Sequence, residues 1–106
     1  MRHFILFYEL AADYAERRDL FRDTHLRHTW AASDRGELVL AGSLTNPRDS
    51  NMLLFQGEEP DAAEAFARED PYVLNGIVTS WCVREWLTAV GKDASSPVHP
   101  TGASGT

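Results

Sequence analysis

The segment from Phe4 to Tyr8, near the start of the chain, is apolar at odd and even positions alike. A strand with one face in water alternates apolar and polar side chains, because successive side chains point to opposite faces of a sheet. The later segment from Gly76 to Trp86 also has apolar residues on both of its faces. Both patterns predict β-strands in a sheet that is covered by protein on each side.

The remaining elements follow from helix and turn signals. A helix is predicted from Asp13 to about Asp34, where Asp13 and Glu16 have the spacing of a capping box and Gly36 follows as a stop signal. The later elements are predicted in this order: a strand at 37–44, a turn at 45–50, a strand at 51–56, a helix at 60–69 and a strand at 76–86. The order β-α-β-β-α-β is the ferredoxin-like plan, an α+β fold with a four-stranded antiparallel sheet.

This plan places both helices on one face of the sheet and leaves the other face bare. The strands nevertheless have apolar side chains on that second face, so it needs a cover. A second copy of the chain is the simplest cover, because most soluble oligomers are closed homodimers. The sequence therefore predicts a homodimer.

A length of 106 residues is sufficient for one hydrophobic core. Residues 1–90 are predicted to form a single domain. Residues 91–106 are rich in Ser, Pro, Gly and Ala and are predicted to be a disordered tail. The single cysteine, Cys82, lies in an apolar run and is expected to be a small buried side chain rather than a nucleophile.

The charge balance argues against two classes of partner. The chain has 16 acidic and 10 basic residues, giving a net charge of −6. Nucleic-acid binding and attachment to an anionic membrane both favour a basic excess, so neither is expected. The chain has no apolar run of about 18 residues, and its first apolar run is too short for a signal peptide, so a cytoplasmic location is expected.

Histidine and carboxylate side chains are left to carry any chemistry, because the sequence has no phosphate loop, nucleophile elbow or zinc-protease motif. No cofactor is therefore expected. His25 and His28 lie three residues apart on the predicted helix and could share a metal, but nothing is spaced to supply a third ligand. His25 falls at the edge of the apolar stripe, where an imidazole is either a packed amphipathic side chain or a general base.

Asp70 has two compatible interpretations. An aspartate directly before a proline, here Pro71, is the usual start of a helical turn, with the carboxylate as the N-cap. A cap uses one carboxylate oxygen, so the other oxygen remains free to face a cleft.

Leu26 and Trp30 are a further unusual pair, because they lie one turn apart on the side of the first helix opposite its apolar stripe. Their position predicts either a partner surface or a local distortion of the helix.

Three segments share their order and spacing with known signatures. Residues 22–26 (RDTHL) match the form RxxHL, residues 38–42 (LVLAG) match the strand that follows it, and residues 70–78 (DPYVLNGIV) match the form DPYxxxGxx. Together, over about residues 4–86, they resemble the YCII-related family. The resemblance implies ferredoxin-like domains assembled as a dimeric α+β barrel.

The resemblance also implies a His–Asp pair in a small pocket, with His25 as the general base and Asp70 as its orienting partner. Arg22 and Tyr72 would contact an anion or a hydroxyl of the substrate, and Ser43 would lie at the pocket rim. On this hypothesis the protein is a small cofactor-free enzyme, lyase or isomerase in type, that acts on a cyclic or aromatic substrate. The alternative is a dimeric ligand-binding or accessory module without chemistry, in which His25 and Asp70 are structural.

Overall fold

The computed structural model describes residues 1–101, and over this range the chain follows the predicted order with two additional short helices and a 3-10 turn. The elements are β1 (Arg2–Leu10), α1 (Tyr14–Arg17), a 3-10 turn (Arg18–Leu20), α2 (Arg22–Asp34), β2 (Leu38–Ser43), β3 (Ser50–Gly57), α3 (Asp61–Glu69), α4 (Pro71–Leu74) and β4 (Val78–Trp86). The last five residues, 102–106, lie outside the described residues.

The four strands form one antiparallel sheet in the order β2-β3-β1-β4. The central strand β1 has Leu6 opposite Leu53 of β3 on one side and opposite Val83 of β4 on the other. The predicted hairpin joins β2 and β3, and Leu44 N–H donates to the Ser50 carbonyl at 2.9 Å across its base. The ferredoxin-like α+β fold is therefore confirmed.

The core lies between the helices and one face of the sheet. Alternate residues of β1 point into it, and Phe4, Leu6 and Tyr8 are all buried. Ile5 and Phe7 point to the opposite face and are only half-buried. The helices cover one face of the sheet, and within the single chain the other face keeps its apolar side chains partly in solvent.

The prediction of one continuous helix from Asp13 to Asp34 is wrong. The chain forms α1, the 3-10 turn and α2 instead, with Phe21 at φ −122° and ψ 4° between the last two. The Asp13 carboxylate does not cap the helix and pairs with Arg17. Tertiary contacts prevail over a weak local preference, because the Arg17 guanidinium also donates to the Asn75 carbonyl at the end of α4.

The predicted stop at Gly36 is confirmed. Gly36 has φ +80°, its N–H donates to the Ser33 carbonyl at 2.9 Å, and the Glu37 N–H donates to the Ala32 carbonyl at 3.1 Å. This is the Schellman pattern, in which a glycine adopts a left-handed conformation that other residues rarely take.

Within residues 1–101 no helix has the length and apolar character needed to cross a bilayer.

Cys82 is exposed, so the prediction that it is buried is wrong. It pairs with Phe7 across β1 and β4 and therefore shares the sheet face that the helices do not cover.

The division of the chain into a domain over residues 1–90 and a disordered tail from residue 91 stays a prediction. Within the described part of the tail, the N–H groups of Ser96 and Val98 donate to the Thr88 and Ala89 carbonyls at 3.0 and 2.8 Å.

Candidate active site

Asp70 lies at the junction of α3 and α4, where the backbone leaves helical angles with φ −70° and ψ 124°. The extended conformation is the one that a residue before proline prefers. Its Oδ1 accepts a hydrogen bond from the Tyr72 N–H at 3.0 Å, so the predicted N-cap is confirmed. The side chain is completely buried, and a carboxylate in that state needs several donors to replace its lost hydration.

His25, in the first turns of α2, provides one of these donors. Its Nδ1 lies 2.8 Å from Asp70 Oδ1, and its ring stacks on Tyr72 with 3.8 Å between centroids and 5° between planes. A carboxylate can only accept, so Nδ1 carries the proton that faces Asp70, and in the neutral imidazole Nε2 has a free lone pair. The His25 side chain is 12% exposed, and Nε2 has no hydrogen-bond partner among residues 1–101.

Tyr8 is the third donor to Asp70, and sequence reasoning missed it. Its hydroxyl donates to Asp70 Oδ2 at 2.7 Å in the middle of the core. Burial, and then the adjacent Asp70 charge, raise the pKa of the Tyr8 hydroxyl above its ordinary value of 10, so it remains a donor. The signal was present in the sequence, because a tyrosine inside an apolar strand requires a partner for its hydroxyl.

The His25 ring opens onto a cleft of about 460 Å³ between α2, β2 and the β2–β3 hairpin. The lining residues combine aromatic and aliphatic surface with a limited set of polar groups; they are Tyr14, Arg18, Arg22, His25, Leu26, Thr29, Trp30, Ser33, Leu38, Val39, Leu40, Ala41, Gly42, Ser43, Arg48, Asn51, Leu53 and Tyr72. A mainly apolar concavity with a few convergent polar groups is typical of a small-molecule site.

The predicted site residues converge on this cleft. His25, Arg22, Tyr72 and Ser43 all line it, and Asp70 lies directly behind the His25 ring. Their assignment as catalytic and substrate-binding residues remains a proposal.

Leu26 and Trp30 also line the cleft, and this position explains why two large apolar residues lie outside the core stripe of α2. Trp30 is 66% exposed and forms part of the cleft wall. Sequence reasoning missed Arg18, Arg48 and Asn51, because these come from the segment before α2 and from the hairpin, and spacing alone does not bring them together.

His28 has a different environment from His25. Its Nε2 donates to the Phe66 carbonyl of α3 at 2.9 Å, and its ring stacks on Phe66 at 4.2 Å. The two histidines of α2 therefore contact different elements, His25 toward Asp70 and His28 toward α3. Through this hydrogen bond and ring contact His28 packs α2 against α3, which is a structural role.

The comparison with solved structures supports the fold. The chain is similar to 5-chloro-2-hydroxyhydroquinone dehydrochlorinase (TftG) from Burkholderia phenoliruptrix AC1100, solved in complex with 2,5-dihydroxybenzoquinone. The TM-score is 0.70 at 15% sequence identity, and the match covers 82% of this chain and 95% of the other. At this identity the likeness establishes a shared fold. No curated protein matches the chain.

The comparison with family models defines the relationship more closely. The model of the YCII-related domain matches residues 1–87, which include every strand and helix described above. The matched range also contains His25, Asp70 and the residues that line the cleft. The chain therefore belongs to the YCII-related family.

Proposed function

We propose that the protein is a small proton-transfer enzyme, of lyase or isomerase type, that acts on a compact cyclic or aromatic substrate. His25 is the general base and Asp70 is the positioning residue that holds it. The observation that carries the proposal is the His25–Asp70 hydrogen bond of 2.8 Å, which leaves the second ring nitrogen unpaired at an open cleft.

The geometry supports a specific sequence of events. Nε2 of His25 takes a proton from a substrate hydroxyl or from an activated carbon. The resulting imidazolium is stabilised by the Asp70 carboxylate at Nδ1. Return of the proton to another atom gives isomerisation, whereas departure of a leaving group with its bonding electrons gives elimination. General acid–base transfer of this kind contributes ~10²–10⁴-fold to a rate, and it needs no cofactor.

The fixed ring orientation supports the assignment. The His25 imidazole is held in its plane by the parallel Tyr72 ring and at one nitrogen by Asp70, so little reorganisation is needed when a substrate arrives. The structural relative supports the substrate class, since its name gives a chlorinated hydroxyhydroquinone as substrate and its structure holds a dihydroxybenzoquinone. A ring compound of that size suits the volume and the aromatic walls of the cleft.

Proton transfer can be tested with 1,2,4-trihydroxybenzene in deuterated buffer without oxygen. We expect the protein to exchange ring C–H for deuterium, followed by proton NMR, at a rate well above that of free imidazole at the same concentration. Free imidazole is the matched control because it supplies the same base without the cleft. A rate equal to that of free imidazole, with this compound and with a panel of related phenols, hydroxybenzoic acids and cyclic ketones, would contradict the proposal and favour a binding module.

We also propose that a second copy of the chain covers the open sheet face, giving a homodimer. Leu40 is 71% exposed and Trp86 is 51% exposed, and both lie with Ile5, Met52 and Leu54 around a shallow apolar depression on that face. Contiguous apolar surface of this kind is typical of an interface. The face spans all four strands, so pairing two copies through it would bury these side chains without any change in the sheet.

The dimer is tested by Leu54→Glu, which places a charge in the middle of the open face. We expect light scattering to give twice the chain mass for the wild type and the single-chain mass for the variant, because an unpaired charge is costly to bury. Leu74→Glu is the control, since Leu74 is exposed on α4, away from this face. A wild type that is monomeric at micromolar concentration, or a Leu54→Glu variant that remains dimeric, would show that another partner or none covers the face.

A further inference from the structure

The cleft concentrates positive charge in an acidic protein. Arg18, Arg22 and Arg48 line it, although the whole chain has only 10 basic residues and a net charge of −6. None of the lining residues from the described part of the chain is an aspartate or a glutamate. The Asp70 carboxylate lies behind the His25 ring and already accepts from three donors. A cavity with this charge distribution favours an anion.

Two of these arginines have unused hydrogen-bonding capacity. Arg18 donates to the Tyr14 hydroxyl at 3.2 Å and lies 3.8 Å from Asp19. Within residues 1–101, by contrast, neither Arg22 nor Arg48 has a carboxylate partner. Arg22 begins α2 and Arg48 lies in the β2–β3 hairpin, so the two guanidinium groups reach the cleft from different elements. A guanidinium presents paired N–H donors that match a carboxylate.

Asn51 adds an independent observation. It lies on β3 with its side chain on the cleft side, it is 9% exposed, and its Oδ1 is buried without a hydrogen-bond partner among the described residues. A buried amide oxygen in this state is costly, because nothing replaces its lost water. A ligand in the cleft that supplies a hydroxyl donor to Asn51 Oδ1 would offset this free-energy cost.

We infer that the substrate is an anionic ring compound, a hydroxylated cyclic or aromatic carboxylic acid. Arg22 and Arg48 bind the carboxylate, Asn51 Oδ1 accepts from a ring hydroxyl, and Leu26, Trp30 and Leu53 contact the ring. The inference rests on the proposed function for the location of the chemistry. It extends that function by specifying two groups that the substrate must have.

Three related compounds separate these two groups, with binding measured by isothermal titration calorimetry. The compound 2,5-dihydroxybenzoate has both groups, hydroquinone lacks the carboxylate, and benzoate lacks the hydroxyls. We expect 2,5-dihydroxybenzoate to bind about tenfold or more tightly than either of the others, because hydroquinone lacks the charge-assisted hydrogen bonds to the arginines and benzoate lacks the hydroxyl that donates to Asn51 Oδ1. Equal affinities, or no binding of any of the three at millimolar concentration, would overturn the inference.

Variants assign the contacts. Arg48→Gln is expected to weaken 2,5-dihydroxybenzoate about tenfold and to leave hydroquinone unchanged. Arg27→Gln is the matched control, since Arg27 is an exposed arginine of α2 that lies 3.8 Å from Asp23 and outside the cleft lining. Asn51→Leu is expected to weaken hydroquinone while sparing benzoate, and to keep or raise the melting temperature. If Arg48→Gln and Arg27→Gln change the affinity for 2,5-dihydroxybenzoate equally, Arg48 does not bind the carboxylate and the inference is overturned.

The binding measurements are separate from the proton-exchange measurements, so the two proposals fail in distinguishable ways. Exchange without preference for the carboxylate would overturn the substrate class and leave the proposed function intact. Selective binding of 2,5-dihydroxybenzoate without exchange would support the anion site and contradict the general base. Repeating the titration with His25→Gln checks the separation, because this change removes the base and leaves Arg22, Arg48 and Asn51 in place.

Discussion

Replacing His25 with Gln is expected to lower the rate of proton exchange by ~10²–10⁴-fold. Glutamine retains a side chain that can contact Asp70, but its amide is not basic and cannot take the proton. The melting temperature should change little, since the glutamine amide can still donate to the Asp70 carboxylate and no residue of the described chain bonds to Nε2. The measurement is the NMR exchange rate beside a thermal unfolding scan of the same preparation.

Asp70→Asn should give a smaller loss, on the order of tenfold to a hundredfold. The Tyr72 N–H fixes the amide with its carbonyl at the Oδ1 position, so His25 Nδ1–H keeps its acceptor and the ring keeps its tautomer. What disappears is the negative charge that stabilises the imidazolium. His99→Gln, an exposed histidine in the tail, is the control and should have the wild-type rate. A rate for His25→Gln above that for Asp70→Asn would show that His25 is not the base.

Asp70→Ala is expected to reduce the free energy of unfolding by about 3–5 kcal/mol, because it removes the acceptor of three donors at once. These are the Tyr8 hydroxyl, His25 Nδ1 and the Tyr72 N–H. The Asp70 side chain is completely buried, so bulk water does not replace the lost acceptor of the Tyr8 hydroxyl in the core. For a domain of this size the melting temperature should fall by ~15–30 °C, as measured by circular dichroism.

Two further variants separate the contributions to this loss in the free energy of unfolding. Asp70→Asn keeps the shape and two of the three hydrogen bonds, so its melting temperature should lie close to that of the wild type. Tyr8→Phe removes one donor and is expected to cost about 1–3 kcal/mol. If Asp70→Ala and Asp70→Asn unfold within about 1 kcal/mol of each other, the network around Asp70 contributes little, well below the cost expected for stranded buried donors.

The order of elements could be predicted because it depends on local signals. Turn residues and apolar patterning mark the strands, and the aspartate before Pro71 marks the cap. The hydrogen bond between His25 and Asp70 joins residues 45 positions apart, and the resemblance of two short motifs to a family predicted it. Patterns within one element do not contain such a contact.

The features that the sequence did not reveal are those set by tertiary contacts. The first helix is interrupted at residues 18–20, although no glycine or proline there marks a break in the sequence. The interruption accompanies a tertiary contact, the hydrogen bond from the Arg17 guanidinium to the Asn75 carbonyl at the end of α4. Strand patterning treats Tyr8 as apolar, because it does not distinguish a buried phenol from a phenylalanine. The three arginines reach the cleft only after the hairpin and the start of α2 are brought together.

Asp70 serves both the fold and the proposed chemistry, and this double role has a consequence for the evolution of the domain. A lineage that abandons the reaction can replace His25 with a residue that still donates to Asp70, such as glutamine, at a small cost in stability, whereas loss of the carboxylate leaves the Tyr8 hydroxyl and the start of α4 without their acceptor. Selection for folding alone would then preserve the aspartate long after turnover has ceased. In any set of homologous chains, residue 25 would therefore report whether the chemistry persists, and residue 70 would report chiefly that the domain still folds.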